Sequence, residues 1–152
     1  MKTRILVVVA FVLAALVFYQ VVIGRLAPKT WVDFSSPEGR FSILMPGKPS
    51  AGTTDLYVTD STVTVHSYAA LRPSLGLMCG YYDFLSRPEN VDKVFDGTRD
   101  GSIRNVQGKL LTEEKLTMNG YPGRRFRSTA QRNTFIDEEM YLVGKRFYCL
   151  RS

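Results

Sequence analysis

The sequence is short of the residues from which most catalytic sites are built. It has one histidine, His66, and two cysteines. A general base or an activated nucleophile needs converging partners, and the Gly-x-Ser-x-Gly motif of serine hydrolases is also absent. His66 falls on the more polar face of a predicted strand, where a lone histidine is usually a surface or hydrogen-bonded structural residue. We therefore expect no catalytic residue and no enzymatic activity.

Nucleotide and metal motifs are missing as well. Neither the P-loop pattern nor Gly-x-Gly-x-x-Gly occurs, and the cysteines are not in Cys-x-x-Cys spacing. Asp92, Asp96 and Asp100 recur every four residues on a predicted helix and could offer oxygen ligands to a hard cation. Lys93 and Arg99 lie among them, which is typical of a solvated helix face. We predict no cofactor and no metal, with an ion carrier that uses this acidic face as an alternative.

The charge is too low and too evenly distributed for a nucleic-acid-binding protein. The formal charge is +6, and removing Lys2 and Arg4 leaves 18 basic and 14 acidic residues, or +4. The dense basic run at Arg124, Arg125 and Arg127 is matched by three acidic residues at 137–139. Nucleic-acid surfaces normally carry clustered basic residues without such compensation. We expect no nucleic-acid partner.

A long apolar run lies near the N-terminus. Residues 5–24 carry no charge, and about 20 residues suffice for a helix to cross a hydrocarbon core of about 30 Å. A cleavable signal peptide has a shorter apolar region and a small-x-small site, for which residues 22–24 are a poor match. We favour an uncleaved signal anchor over a cleaved signal or a buried core helix. The predicted anchor residues are Ile5, Leu6, Val7, Val8, Val9, Phe11, Leu13, Leu16, Phe18, Val21, Val22 and Ile23.

The charges that flank this segment do not determine its orientation. Lys2 and Arg4 on one side are matched by Arg25 and Lys29 on the other. The N-terminal position of the segment resembles an export signal, so we expect the folded domain on the extracytoplasmic side, periplasmic or external. The sequence thus predicts a single-pass membrane protein.

The remainder of the chain fits one α+β domain. We assign residues 1–24 to the anchor, 25–30 to a linker and 31–152 to the domain, which is long enough to bury a core. Asn119-Gly120 is the strongest hairpin signal, because a type I′ turn needs positive φ at both central residues. Predicted strands cover residues 41–45, 62–71, 75–84, 109–118, 121–132, 135–143 and 146–151.

The pattern changes to helical spacing between the third and fourth of these strands. Ser86 and Glu89 have the spacing of a capping box, and apolar residues recur at helical intervals from Val91. Gly97 and Gly101 lie four residues apart within the helix. Because glycine weakens a helix, we expect this helix to pack closely against another backbone.

The two cysteines, Cys79 and Cys149, leave two alternatives open. An oxidising compartment would permit one disulfide between them. Both lie in apolar strand-like runs, where a buried free cysteine behaves as a small hydrophobic residue. We favour two buried free thiols and keep the disulfide as the alternative.

Three blocks of the sequence resemble uncharacterised bacterial exported proteins whose domain is similar to the PsbP-like fold, which the photosystem II extrinsic subunit and a Ran-binding protein share. The blocks are WVDFSSPEGRFSILMPGKP at 31–49; DG at 96–97 with GKLL at 108–111 and LTMNGYPGRRF at 116–126; and YLVGKRFY at 141–148. The resemblance implies an α/β/α sandwich around an antiparallel sheet and a non-enzymatic binding or assembly role. It also leads us to expect another strand and a helix after Ser152, hence a shortened C-terminus.

The final predicted strand and the aromatic residues complete the functional hypothesis. We expect residues 146–150 to form an apolar edge or final strand without cover, which indicates either a shortened C-terminus or a partner that covers the edge. Strand aromatics beyond those needed for the core could line a ligand groove or a partner face. The leading hypothesis is a membrane-anchored extracytoplasmic module that binds a protein or envelope component; the alternative is a small-molecule or ion carrier. The aromatics are Tyr81, Tyr82, Phe84, Tyr121, Phe126, Phe135, Tyr141 and Tyr148.

Overall fold

A computed structural model describes residues 31–58, 61–73, 75–131 and 134–152. These residues form mainly antiparallel sheet with one helix. In chain order the elements are β1 (Val32–Ser36), β2 (Phe41–Met45), β3 (Ser50–Val58), β4 (Ser61–Arg72), β5 (Leu75–Asp83), α1 (Val91–Asn105), β6 (Leu110–Met118), β7 (Tyr121–Thr129), β8 (Phe135–Val143) and β9 (Arg146–Arg151).

The main sheet has seven strands in the order β3-β4-β5-β9-β8-β7-β6, and all neighbours are antiparallel. The last strand is therefore interior: β9 pairs with β5 on one side and with β8 on the other. The prediction of an uncovered edge at residues 146–150 is wrong. A strand with apolar residues on both faces, such as Phe147 and Leu150, is typical of the centre of a sheet covered on both sides.

One face of the sheet is covered by α1. Phe95 of the helix is 2% exposed and packs into a cluster with Phe126, Met140, Leu142 and Phe147. The Phe95 and Phe147 ring centroids lie 5.9 Å apart. Burial of aromatic and aliphatic side chains at this density contributes about 1.5–3 kcal/mol for each residue, so this cluster is the main core of the domain.

The opposite face carries the β1–β2 hairpin, which forms a separate two-stranded sheet. Met45 is fully buried and packs against Ala70 and Cys79 of the main sheet, with Phe34 and Phe41 at the border of this second cluster. The layers are thus helix, sheet and hairpin. The predicted α/β/α sandwich is wrong, because in the described residues apolar side chains of a hairpin occupy the face where a second helix layer was expected.

Several local predictions are confirmed. The bounds of β2 and β8 agree with the predicted strands at 41–45 and 135–143, and β4 pairs with β5 as expected. The β6–β7 turn has φ of 52° at Asn119 and 81° at Gly120, as a type I′ turn requires. Strands β1 and β3 were not predicted. In β3 every side chain except that of Val58 is exposed, so no alternation of apolar and polar residues marks it.

The start of α1 differs from its predicted capping box. Asn90, not Ser86, is the N-cap, and its side-chain oxygen accepts a hydrogen bond of 2.9 Å from the Lys93 amide. Ser86 lies in a bend one turn before the helix. The Asn90 side chain satisfies the Lys93 amide, whereas the predicted serine would have satisfied that of Glu89, and Asn90 is the residue directly before the first helical position.

The prediction of a single-pass membrane protein is corrected. Within the part of the chain that the structure describes, no helix is both long enough and apolar enough to span a bilayer. The predicted anchor at residues 5–24 and the linker at 25–30 lie outside the described residues.

The N-cap assignment leads to a direct test. We expect Asn90→Ala to lower the free energy of unfolding by about 1 kcal/mol, because one amide in the first turn of α1 loses its partner. Ser86→Ala is the matched control and should change stability by less than about 0.5 kcal/mol, as an exposed surface substitution does. Urea denaturation followed by circular dichroism measures both variants. A larger loss for Ser86→Ala than for Asn90→Ala would contradict the assignment.

Candidate functional site

A groove of about 550 Å³ lies on the hairpin side of the sheet. Tyr141 and Tyr148 form its aromatic floor on β8 and β9, and Phe41 of β2 forms one wall. The β6–β7 turn contributes Met118 and Tyr121, which are 46% and 43% exposed. The groove is therefore open, aromatic and within the size range of ligand-binding pockets.

The hairpin that forms the wall is held at its turn. The Tyr148 hydroxyl donates to the Gly39 carbonyl at 2.8 Å, and Arg146 Nη1 donates to the Glu38 carbonyl. Within the turn, the Gly39 amide donates to Ser36 Oγ at 3.1 Å. These bonds join the SPEGR segment to the GKRFY segment, two blocks of the sequence that are about a hundred residues apart. The wall and the floor of the groove are thus fixed to each other.

Arg146 is the central charged residue at this junction. Its Nε and Nη2 donate to the two carboxylate oxygens of Asp83, each at 2.7 Å, and its guanidinium lies 4.7 Å from the centre of the Tyr81 ring. The hydrogen bond from Arg146 lowers the pKa of Asp83 below its ordinary value, against the opposing effect of burial. A bidentate pair stacked on an aromatic ring fixes the guanidinium in one orientation.

The floor depends on a glycine. A Cβ atom at Gly123 of β7 would lie 2.5 Å from the Tyr141 ring, so the ring rests directly on the backbone of the neighbouring strand. The Tyr141 hydroxyl donates to Glu139 Oε2 at 3.0 Å, which fixes the other end of the side chain. Absence of a side chain at position 123 therefore allows the aromatic floor to lie flat.

The edge of the groove is positively charged. Arg40 and Lys145 line it and are exposed, while Arg146 is paired with Asp83. The charges of the four charged lining residues, Arg40, Asp83, Lys145 and Arg146, sum to +2. Arg40 has φ of 56°, a conformation imposed by the tight β1–β2 turn. The arrangement favours an apolar or aromatic group that carries a negative charge.

The acidic helix face is occupied by ion pairs instead of presenting free ligands. Arg124 of β7 contacts Asp92, Asp96 and Glu113, and Arg99 contacts Asp96, Asp100 and Glu113. Among the described residues no group of three or more metal-ligating side chains could hold an ion. The carboxylates attach α1 to β6 and β7. The alternative of an ion carrier on this face loses its support.

Two arginines of the basic run lie beside the acidic residues at 137–139. The Nε of Arg127 lies 2.7 Å from Asp137, and Arg125 contacts Glu139 and Glu114. Arg124 points to the helix face instead, because successive residues of a strand alternate between faces.

His66 has an aromatic neighbour. Its ring stacks on Tyr81 with a centroid distance of 4.8 Å and an interplanar angle of 7°. This contact fits the structural role that the sequence indicated. The absence of enzymatic activity stays a prediction.

Cys79 and Cys149 are free and contribute to different clusters. Cys79 is buried beneath the hairpin with Met45, whereas Cys149 packs against the cluster around Phe95. The sheet therefore separates the two side chains, although β5 and β9 are neighbours. Burial raises the pKa of the Cys79 thiol to about 11 and that of the Cys149 thiol to about 12.

Sequence reasoning identified some of the residues of the groove but not their arrangement. Of the aromatics it named, Tyr121, Tyr141 and Tyr148 line the groove, whereas Tyr82, Phe84 and Phe126 belong to the helix-side core. It missed Arg40, Lys145, Arg146 and Gly123. Their signal was present in the SPEGR, GKRFY and YPGRR segments, which read as turns and strand ends in isolation.

Comparisons with known proteins assign neither a family nor a function. No family model matches the chain, and no curated protein matches it. Among solved structures it is similar to PA94, a protein of unknown function from Pseudomonas aeruginosa, with a TM-score of 0.40, 10% identity and 80% of each chain covered. A likeness of this size shows neither a shared fold nor a shared function. The resemblance to PsbP-like exported proteins stays a prediction.

The two thiols allow a chemical test of their burial. At pH 8 only roughly one Cys79 side chain in a thousand should be the reactive thiolate, and fewer of Cys149, so the native protein should react slowly with Ellman's reagent. After unfolding in guanidinium chloride without reductant, two thiols per chain should react with the reagent. Rapid reaction of the native protein, or fewer than two thiols after unfolding, would contradict this arrangement.

The Asp83–Arg146 pair should make stability depend on pH in acid. Because the folded-state pKa of Asp83 is lowered, its contribution is present above the unfolded value of about 3.9 and is lost as pH falls through the folded value. The Asp83 side chain is 38% exposed, so solvent screening limits the effect to about 1 kcal/mol or less. Asp83→Asn should therefore be less stable than the native protein at pH 7, and urea denaturation should show this difference shrinking as the pH falls below about 3.9. An unchanged difference across this range would contradict the pairing.

Proposed function

We propose that this protein is a non-enzymatic binding module and that its hairpin-side groove binds a short segment of a partner protein. The segment would present an aromatic or large apolar side chain next to acidic residues. The observation that carries the proposal is the combination of a fixed aromatic floor, made by Tyr141 and Tyr148, with the exposed positive charges of Arg40 and Lys145.

A protein segment fits this groove better than an enclosed small molecule. Met118 and Tyr121 at the β6–β7 turn extend the apolar surface beyond the floor and are each more than 40% exposed. Exposed aromatics at the border of a concave surface are typical of protein interfaces, where Tyr supplies both contact area and a polar end. The hydrogen bonds of Tyr148 and Arg146 to the hairpin turn support a preformed site, which lowers the entropic cost of binding.

The charge of the groove sets the expected specificity. Arg146 is neutralised locally by Asp83, so Arg40 and Lys145 supply the uncompensated charge. Charges at the border of an interface act mainly on partner choice and association rate. An acidic segment should therefore bind more tightly than a basic segment of the same apolar composition.

The test uses two fluorescein-labelled peptides, Glu-Asp-Trp-Leu-Glu-Asp and Lys-Lys-Trp-Leu-Lys-Lys, in fluorescence anisotropy titrations. We expect the acidic peptide to bind with a Kd of about 10–100 μM and the basic peptide to bind at least tenfold more weakly. Lys145→Glu should weaken the acidic peptide about tenfold, and Tyr121→Ser should weaken it by a similar factor through lost contact area.

Two matched controls lie outside the groove. Lys48→Glu makes the same charge change at another exposed lysine, and Leu71→Ser removes an apolar side chain that is 82% exposed. Both should leave the Kd within about twofold of the native value. Equal binding of the two peptides would overturn the proposal, and so would equal losses of binding in the control variants. It would also be overturned if no binding is seen at 1 mM peptide, a Kd that corresponds to a binding free energy of about −4 kcal/mol.

A further inference from the structure

A second groove, of about 570 Å³, lies on the opposite face of the sheet beside α1. The helix packs against β7, so the part of this face formed by β3 and β5 is left open next to it. Its walls include the apolar side chains of Leu56, Met78 and Val94 beside polar and charged ones. This groove is separate from the hairpin-side groove because the sheet lies between them.

One end of this groove holds a buried charge cluster. Glu138 is 1% exposed; its two carboxylate oxygens accept from Ser102 Oγ at 2.6 and 2.7 Å, and its Oε2 accepts from Arg151 Nε at 2.9 Å and from Arg151 Nη2 at 2.8 Å. Within the described residues, Arg151 Nη1 takes part in none of these bonds. Glu138 thus holds the guanidinium through Nε and Nη2, and Arg151 is itself one of the residues that line the groove.

The charge of the groove is positive. Lys93, Arg104 and Arg151 line it together with Glu138, and these four residues sum to +2. Lys93 belongs to the first turn of α1 and Arg104 to the last turn, so positive charge is present at both ends of the helix. An apolar trough with cationic ends is complementary to a molecule that has a hydrocarbon body and an anionic head.

Two glycines widen this trough along the helix. A Cβ atom at Gly97 would meet nothing within 4 Å, and one at Gly101 would meet no more than the tip of the Arg104 side chain at 4.0 Å. Neither glycine has the positive φ that would require it. In the described residues no backbone packs against them, so the predicted close helix contact is not present. Glycine weakens a helix relative to alanine, and close approach of a bound molecule would account for both positions.

We infer that the helix-side groove binds an amphiphilic carboxylate, with an unbranched acyl chain lying along Gly97 and Gly101 and the carboxylate bound by Arg151 and Arg104. The hydrocarbon chain would cover the aliphatic wall and follow the length of α1. Arg151 would donate to the carboxylate through Nη1, while Glu138 keeps the guanidinium in place through Nε and Nη2.

The test uses dodecanoate, below its micelle concentration, as competitor of the fluorescent fatty acid cis-parinaric acid bound to the full chain. We expect dodecanoate to displace the probe and to raise the melting temperature, whereas dodecanol should bind at least tenfold more weakly because it lacks the charge. Equal binding of acid and alcohol would overturn the role of the cationic end.

Variants at Gly97 separate binding from folding. Gly97→Leu places a side chain in the open space and replaces glycine by a better helix former, so the melting temperature should be equal or higher while the Kd rises at least tenfold. Gly97→Ala is the matched control and should bind within about threefold of the native protein. Native-like binding by Gly97→Leu would sink the inference.

Arg151→Lys keeps the charge next to Glu138 and loses the planar fork, so it should weaken dodecanoate about fivefold to tenfold. Tyr121→Ser, on the other face of the sheet, should leave dodecanoate binding unchanged. The same variant is expected to weaken peptide binding in the hairpin-side groove, so failure of one proposal can be distinguished from failure of the other. Loss of dodecanoate binding in Tyr121→Ser would place the ligand in the hairpin-side groove and would contradict the inference.

Discussion

Pairing of β9 between β5 and β8 joins the two halves of the main sheet, and both grooves depend on it. Without this pairing the β3–β5 half and the β6–β8 half would each present an open edge. Because successive side chains of a strand point to opposite faces, alternate residues of β9 lie on opposite faces of the sheet. Toward the hairpin point Arg146, Tyr148 and Leu150, and toward α1 point Phe147, Cys149 and Arg151.

These six consecutive residues contribute to almost every feature described above. Phe147 is 1% exposed and belongs to the main core, whereas Tyr148 and Arg146 bind the hairpin turn. Among the described residues Glu138 has the only fully buried carboxylate, and Arg151 is its ion-pair partner. A shift of the β9 register by one residue would exchange the two faces. It would bury Arg146 in the core and remove both the hairpin anchor and the charge cluster.

Polar networks attach the helix to the sheet at two places. Arg124 is 4% exposed and bridges β7 to Asp92 and Asp96 of α1, while Ser102 of α1 binds Glu138 of β8. Buried charges are stable only when they are paired and hydrogen-bonded, so each network restricts α1 to one position. Between the two attachment points the helix presents Gly97 and Gly101, and the trough is the space left beside them. The acidic row on α1 thus fixes the position of the helix.

The sequence predicted several strands and one turn of the fold. Apolar runs predicted β2 and β5, alternation predicted β4, and Asn119-Gly120 predicted its turn, because these signals depend on neighbouring residues alone. Strand β3 carried no such signal, since an edge strand with exposed side chains has no apolar face to reveal it. The interior position of β9 was missed because strand order depends on pairing between β5 and β9, which are more than sixty residues apart.

By itself the sequence determined that the domain is built of strands with one helix, and it favoured free thiols for the two cysteines. The tertiary structure alone decided which aromatics became floor and which became core, since that depends on the face to which each strand residue points in the final register. It also decided that Asp92 and Asp96 bind Arg124, and that Gly97 and Gly101 border open space. Contacts between distant segments set these outcomes, and a local pattern cannot specify them.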